Sequence, residues 1–246
     1  IVDSGKPEMS VGEKLRHEKE LLSFYVSGHP MAEYAGFDDA LDDIPPPDAV
    51  RRVKKLPFRA CGVVSNIVKR LTKKDNRPWC YFTLSGRSSA KVWQINVFPA
   101  AYETCADRLR EGDCVCVTGD CRPDDSGETR FTCSSVDAME GAISGFCGSV
   151  EWLIDPYARA DRFVKRLSNC VHYESGDIAH KIRVRVGDDE FVEMSDGGVC
   201  KTLFSPSAFK KLRAEPAVLA FRAHARPIPI PEPKWKSGGE RGAFRR

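Results

Sequence analysis

The chain has 246 residues, with 38 Lys and Arg against 35 Asp and Glu for a net charge of +3, and is 41% apolar and 30% charged. A mean hydropathy of −0.38, with no apolar run near the ~18 residues of a membrane helix, excludes a helical span and any membrane partner of that kind. The charge balance is too even to name a partner, and the length suits one or two domains at roughly 100–200 residues each. Residues 1–6 begin with Ile1 and lack the charged start and apolar centre of a signal peptide, so a piece of a longer, cytoplasmic polypeptide is expected.

The first predicted element is an amphipathic helix over residues 12–27. Leu15, Leu21, Leu22, Tyr25 and Val26 form its apolar stripe, and Gly28-His29-Pro30 ends it, because proline forces the residue before it out of helical dihedrals. Ile44-Pro45-Pro46-Pro47, followed by Arg51, Arg52, Lys54 and Lys55, reads as a stiff, solvated linker.

From Leu56 to about Glu140 short β-branched and aromatic runs alternate with turns. Five strands are predicted over 58–68, 79–84, 92–98, 114–121 and 129–136, with a helix over 100–109 that Pro99 starts and Glu111-Gly112-Asp113 closes. Five strands with a helix between the third and fourth is the order of an oligonucleotide/oligosaccharide-binding (OB) barrel.

The remainder predicts a small α+β unit. It has strands over 150–154, 179–186, 190–194, 199–203 and 217–222, and a hairpin turn at Gly187-Asp188-Asp189. Asp155-Pro156 starts a helix through Leu167, Ser205-Pro206 starts another over 207–214, and both helices lie on one face of the sheet. The Pro-, Gly- and Arg-rich end reads as extended or disordered tail. The expected fold class is therefore mainly β with an α+β part: residues 1–55 as helix and linker, 56–140 as OB barrel, 141–223 as small α+β domain, and 224–246 as tail.

Ten cysteines contain no C-x-x-C and no His at ligand spacing, so reduced structural thiols are expected rather than a metal site or disulfide framework. Cys114 and Cys116 alternate along one strand and should share a face. No G-x-G-x-x-G, Walker, H-E-x-x-H or G-x-S-x-G pattern occurs. His29 and His180 have no partner motif, and Asp38-Asp39 with Asp42-Asp43 reads as a solvated acidic turn. Asp124-Asp125-Ser-Gly-Glu128 lacks calcium-loop spacing and reads as a hairpin turn. No catalytic residue, metal or cofactor is expected in this fragment.

The informative local signal is the first barrel hairpin, residues 66–79. Lys69, Arg70, Lys73, Lys74 and Arg77 stand against one acid, Asp75, giving a local charge of +4. OB barrels hold single strands with this loop, and cations there attract phosphate whatever the sequence. Trp79 and Tyr81 follow at base-stacking positions; alternation sends Tyr81 and Phe82 to opposite faces. Trp93 shares a face with Ile95 and Val97 and reads as core, while Gln94, Asn96 and Phe98 share a partly wet one. Arg87 and Lys91, in the next turn, are further candidate phosphate contacts.

Glu18-Lys-Glu-Leu-Leu-Ser-Phe-Tyr-Val-Ser-Gly-His-Pro-Met31 resembles the E-K-E-L-L-G-F-Y-(L/V)-S-G-H-P segment of the bacterial replicative DNA polymerase III alpha family. Cys61-Gly-Val-Val-Ser65, Thr72-Lys-Lys, Val97-Phe-Pro-Ala-Ala-Tyr-Glu103, Glu111-Gly-Asp-Cys-Val-Cys-Val-Thr-Gly119 and Leu203-Phe-Ser-Pro-Ser-Ala-Phe209 continue the likeness in order. The resemblance implies a parent DNA-directed DNA polymerase whose Mg-dependent palm carboxylates lie upstream of this sequence. It further implies a barrel that holds single-stranded template and a last domain that docks the clamp-loader tau subunit. The sliding clamp would be bound through a motif outside this fragment, since nothing in residues 1–17 matches it. Leu84-Ser-Gly86 departs from the family's L-E-D. A stand-alone tRNA- or RNA-binding barrel, and a structural spacer that binds only protein, are the alternatives.

Overall fold

The computed structural model describes residues 17–18, 21–22, 28–53, 55–173, 176–188, 190–194 and 200–228. Within the expected first helix, His17, Glu18, Leu21 and Leu22 are helical; the rest of that helix, the start of the strand expected at Val199, and the tail from 229 lie outside the described residues.

Five strands close the barrel in the order β1-β2-β3-β5-β4: β1 (Leu56–Leu71), β2 (Pro78–Ser85), β3 (Val92–Val97), β4 (Cys114–Pro123) and β5 (Thr129–Ala138). All pairs are antiparallel except β3 with β5, and α3 (Pro99–Cys105) joins β3 to β4 as expected, continued by a 3-10 turn at Ala106–Arg108. Alternation fixes the faces. Cys80, Phe82 and Leu84 of β2 point into the barrel with Ile95, Val97, Val115, Val117 and Phe58, whereas Trp79, Tyr81 and Thr83 point out and are half-buried. Trp93 packs against this interior.

In β1 the alternation disappears, because Phe58–Val64 is buried on both faces. Phe58, Ala60 and Val64 fill the barrel, while Cys61 and Val63 belong to a second core outside its wall. There they meet Cys116 and, as expected from its shared face, Cys114. This second core is roofed by a mixed sheet of order β10-β6-β7-β8: β6 (Cys147–Ile154), β7 (Ile178–Arg185), β8 (Phe191–Met194) and β10 (Val218–Ala225), with β9 (Lys201–Thr202) paired to β7. Helices α5 (Ala160–Tyr173) and α6 (Pro206–Arg213) supply Phe163, Leu167, Phe209 and Leu212 to the same core. Trp152 sits at its centre. Its indole N–H donates to His180 Nδ1 at 2.8 Å, and His180 Nε2 lies 2.8 Å from Thr202 Oγ1. Indole nitrogen is a donor only, so His180 is a neutral, Nε2-protonated structural residue.

Two segments differ from expectation. The linker region is structured although its charged side chains are exposed: α1 (Phe37–Leu41), before it, buries Phe37 and Leu41 in the second core, Asp43 pairs with Arg59, and α2 (Pro47–Val53) lays Val50 on the barrel interior while Pro46, Pro47, Arg51 and Arg52 stay exposed. The proline run starts α2 rather than stiffening a coil, since a first-turn proline gives up an N–H no helix uses, and Asp48 and the Arg51-Arg52 pair suit the helix dipole. Helix α4 (Met139–Phe146) was not expected, because Gly141 and Gly145 lower its propensity; Met139, Ala142 and Ile143 nevertheless form a buried i, i+3, i+4 stripe.

Seven of the ten cysteines are buried, and Cys114, Cys170 and Cys200 are half-buried. Burial pushes the thiols of Cys80 and Cys147 up to about 11 and that of Cys114 to about 12. Thiolate is the reactive form, so a disulfide-exchange reagent at pH 8 should titrate at most Cys114, Cys170 and Cys200 in the folded chain, Cys114 slowest, and all ten in denaturant. Rapid reaction of more than three thiols would show that the two cores are open.

Candidate nucleic-acid interface

The second sheet and α1 cover the outer wall of β1 and β4 around Cys61 and Cys116. The outer wall of β2 and β3 carries exposed and half-exposed side chains instead. At Ser65–Val68 the β1–β2 register shifts, with Asn66 at φ +53° and the Ile67 N–H donated to Glu111 Oε1 at 2.9 Å. Such a bulge increases local twist. Beyond it Val68 pairs with Tyr81 and Arg70 with Trp79, so Arg70 faces outward beside the aromatics.

Trp79 lies in the middle of an aromatic ridge. It stacks on Phe98 at 5.9 Å between centroids and 25° between planes, and its ring centroid is 6.2 Å from that of Tyr81. The Arg70 guanidinium lies over the Tyr81 ring at 5.3 Å, and its Nη2 donates to the Tyr81 hydroxyl at 3.4 Å. Phe98 is 43% exposed, which a side chain of that size tolerates best where another ring or base can cover it. Sequence reasoning did not include Phe98 among the binding residues; the Gln94, Asn96, Phe98 alternation was the signal for it.

The hairpin tip is built rather than loose. Thr72 and Arg77 exchange backbone contacts, with Thr72 N–H donating to Arg77 O at 2.9 Å and Arg77 N–H donating to Thr72 Oγ1 at 2.9 Å; the Thr72 hydroxyl also donates to the Asp75 carboxylate. Asn76 takes φ +50° to close the turn. The lone acid is thus turned onto its own loop. Arg77 is bonded to Glu103 at 2.7 Å, while Lys69, Arg70, Lys73 and Lys74 are exposed, with no carboxylate in ion-pair range among the described residues.

Residues 58–138 match the family described as an OB-fold nucleic acid binding domain. DNA polymerase III subunit alpha of Thermus aquaticus is 27% identical over 173 residues, 69% of this chain and 14% of that protein. The corresponding subunit of Saccharopolyspora erythraea is 26% identical over 213 residues, 80% of this chain and 18% of that protein. The chain is similar to part of the DNA polymerase III alpha subunit. It spans less than a fifth of the length of these curated relatives. A crystal structure of a mitochondrial single-stranded DNA binding protein from S. cerevisiae aligns with 34% of this chain and 95% of that one, at 12% identity and a TM-score of 0.30.

Two residues of the expected interface are engaged elsewhere in the structure. Arg87 Nε donates to Asp38 Oδ2 at 2.8 Å and its Nη2 to Asp39; Lys91 Nζ donates to Asp39 at 2.8 Å and to Asp42 at 2.7 Å. The acidic turn is therefore an anchor for α1 on the β2–β3 turn, and Asp38 is 3% exposed rather than solvated. The Lys91 hydrogen bond holds the Asp39 carboxyl below its ordinary range. Burial pushes the deeper Asp42 up in spite of the same lysine. Burial also works against the Lys91 ammonium, but its two carboxylate bonds outweigh that and hold its pKa high. Asp124 Oδ1 accepts from the Ser126 and Glu128 amides, which makes its loop the expected hairpin turn. Among the described residues no group of three or more His, Cys, Asp or Glu can hold a metal ion, and no helix is long and apolar enough to cross a membrane.

Proposed function

We propose that the barrel holds single-stranded template DNA for a replicative polymerase, the strand's bases stacking on Trp79, Tyr81 and Phe98 and its phosphates meeting Lys69, Arg70, Lys73 and Lys74. The observation that carries this is the aromatic ridge, half exposed and capped by Arg70, on a barrel wall that neither the second sheet nor α1 covers. Base–aromatic stacking contributes about 1–3 kcal/mol per base without regard to sequence, and each phosphate contact makes binding steeper in salt. The parent chain would carry the DNA-directed polymerase activity, with its Mg and catalytic carboxylates upstream. The α+β sheet with α5 and α6 would dock the clamp-loader tau subunit, a role supported by the likeness of Leu203–Phe209 to that family, and the sliding clamp would be held from outside this fragment.

The test is fluorescence anisotropy of the 246-residue chain with labelled oligo-dT at low and moderate salt. Expected is a dissociation constant of about 1–100 µM that weakens steeply with salt. A variant with Lys69, Arg70, Lys73, Lys74 and Arg77 neutralised should bind at least about tenfold more weakly, with a shallower salt slope. Absence of binding at low salt, or binding unchanged in the variant, would leave the barrel as a spacer and move its function to protein docking.

A further inference from the structure

Outside the ridge, the barrel wall carries a pair of side chains that fold stability alone disfavours. Arg122 on β4 and Arg130 on β5 are register partners, and both are exposed. Like charges directly opposite one another on antiparallel strands repel and cost stability. Outside the first hairpin, several bases on or beside the barrel have acids: Lys55 bonds Asp120 at 2.9 Å and Arg108 bonds Asp137 at 3.3 Å. Arg122 and Arg130 have no carboxylate in ion-pair range among the described residues. Asp120, two residues along β4, is held by Lys55, and Asp124 is bonded to Ser126 and Glu128, so that Arg130 acts on it only through the field.

Register places this pair on the same outer wall as the ridge. Tyr81 pairs with Asn96, Asn96 with Thr132, and Thr132 with Asp120; one pleat along, Thr83 pairs with Gln94, and Arg130 with Arg122. Because β3 and β5 run parallel, Gln94 and Arg130 stand at equivalent positions two residues before the Asn96–Thr132 pair. The exposed Gln94 therefore links the aromatic wall to the arginine pair.

We propose that Arg122 and Arg130 form a second phosphate-binding point, which grips the single strand after it has crossed the ridge and passed over β3. This rests on the single-strand reading above. Three strand spacings separate Arg70 on β1 from the nearer arginine, Arg130 on β5, about 14 Å at about 4.8 Å each, and the level of Arg130, that of Thr83, lies four residues along β2 from Trp79, the partner of Arg70, about 13 Å more along the strands, so the two points are roughly 20 Å apart. A stacked tetranucleotide of about 14 Å reaches only one of the two points, whereas a sixteen-nucleotide strand reaches both.

Anisotropy titrations of the whole chain with labelled dT4 and dT16 test this, using Arg122→Glu and the double change Arg122→Gln with Arg130→Gln. Arg122→Glu turns a repelling cross-strand pair into an attracting one, so its melting temperature should rise while its dT16 affinity falls about tenfold. Opposite movements of stability and affinity do not arise from misfolding. The double glutamine variant should lose about 1.4 from the slope of log K against log salt for dT16, near 0.7 per phosphate contact, and leave dT4 unchanged. Unaltered dT16 affinity and slope in both variants, with the parent chain binding normally, overturns the second point and leaves the ridge standing. Equal weakening for dT4 and dT16 also overturns it, since the pair would then act only as general charge. A parent chain that binds neither oligonucleotide brings down the single-strand reading and this proposal with it.

Discussion

Gly119→Ala is expected to destabilise the chain by about 3 kcal/mol, enough to lower the melting temperature by roughly 6–12 °C at this size. Gly119 lies where the β4–β5 register shifts after Thr118. A Cβ there would stand 2.0 Å from the carbonyl oxygen of Thr132 and 3.0 Å from the Phe58 ring. The first obstacle is backbone, which no rotamer change can move, so β5 must shift away from β4 and take Phe131 off Phe58, whose rings meet edge-on at 4.9 Å. The cost is steric, because Gly119 is not among the glycines with positive φ. Gly141→Ala is the control. It lies within α4 with nothing within 4 Å of the added carbon, and removing a helical glycine should stabilise by about 0.4–1 kcal/mol. Thermal melts of the two variants should therefore move in opposite directions; a Gly119→Ala melt within a degree of the parent would mean that the barrel does not close as tightly as the Thr132 contact requires.

The closure that makes Gly119 sensitive was partly legible in the sequence. Alternation in residues 79–84 sent Tyr81 and Phe82 to opposite faces, because a period of two is a local property of a strand, but which face is outward is set by the barrel interior that Phe82 joins. What was not legible depended on distant partners. Arg87 and Lys91 looked like free cations in a turn, and only packing brings Asp38, Asp39 and Asp42 against them across some fifty residues. The same contact turned a seemingly solvated acidic turn into an anchor. Arg122 and Arg130 are separated by a turn in sequence, and only the hairpin register shows that they face one another. The helix inside the linker was missed for a related reason: proline signals a break in coil and a start in helix alike, and the buried Val50 that decides between them is a tertiary fact.

Arg59 ties these layers together, and Arg59→Met is expected to cost about 2–3 kcal/mol. The side chain is 3% exposed. Its Nε donates to the Leu41 carbonyl at the end of α1 at 2.5 Å, both terminal nitrogens donate to the Arg226 carbonyl just after β10 at 3.2 Å, and the guanidinium lies 5.1 Å from the Phe146 ring of α4. Arg59 itself belongs to β1, paired with Thr118 of β4. One planar cation thus joins barrel, α1, α4 and the second sheet. Methionine fills much of the volume but leaves the buried Leu41 carbonyl and the part-buried Arg226 carbonyl without this donor, and an unpaired buried acceptor costs more than the hydrogen bond itself contributes. Lysine keeps the charge but cannot fork to two carbonyls, so Arg59→Lys should fall between methionine and the parent. Amide hydrogen exchange locates the effect: residues 37–43 and 218–226 should exchange faster in Arg59→Met, while the interior barrel amides of β2 and β3 keep most of their protection. Uniform acceleration across both sheets would instead show that the barrel and the second sheet unfold as one unit, with Arg59 contributing to global stability rather than to the joint. Because these Arg59 contacts include none of the ridge residues, oligo-dT affinity should be unchanged in Arg59→Met at temperatures well below its melt.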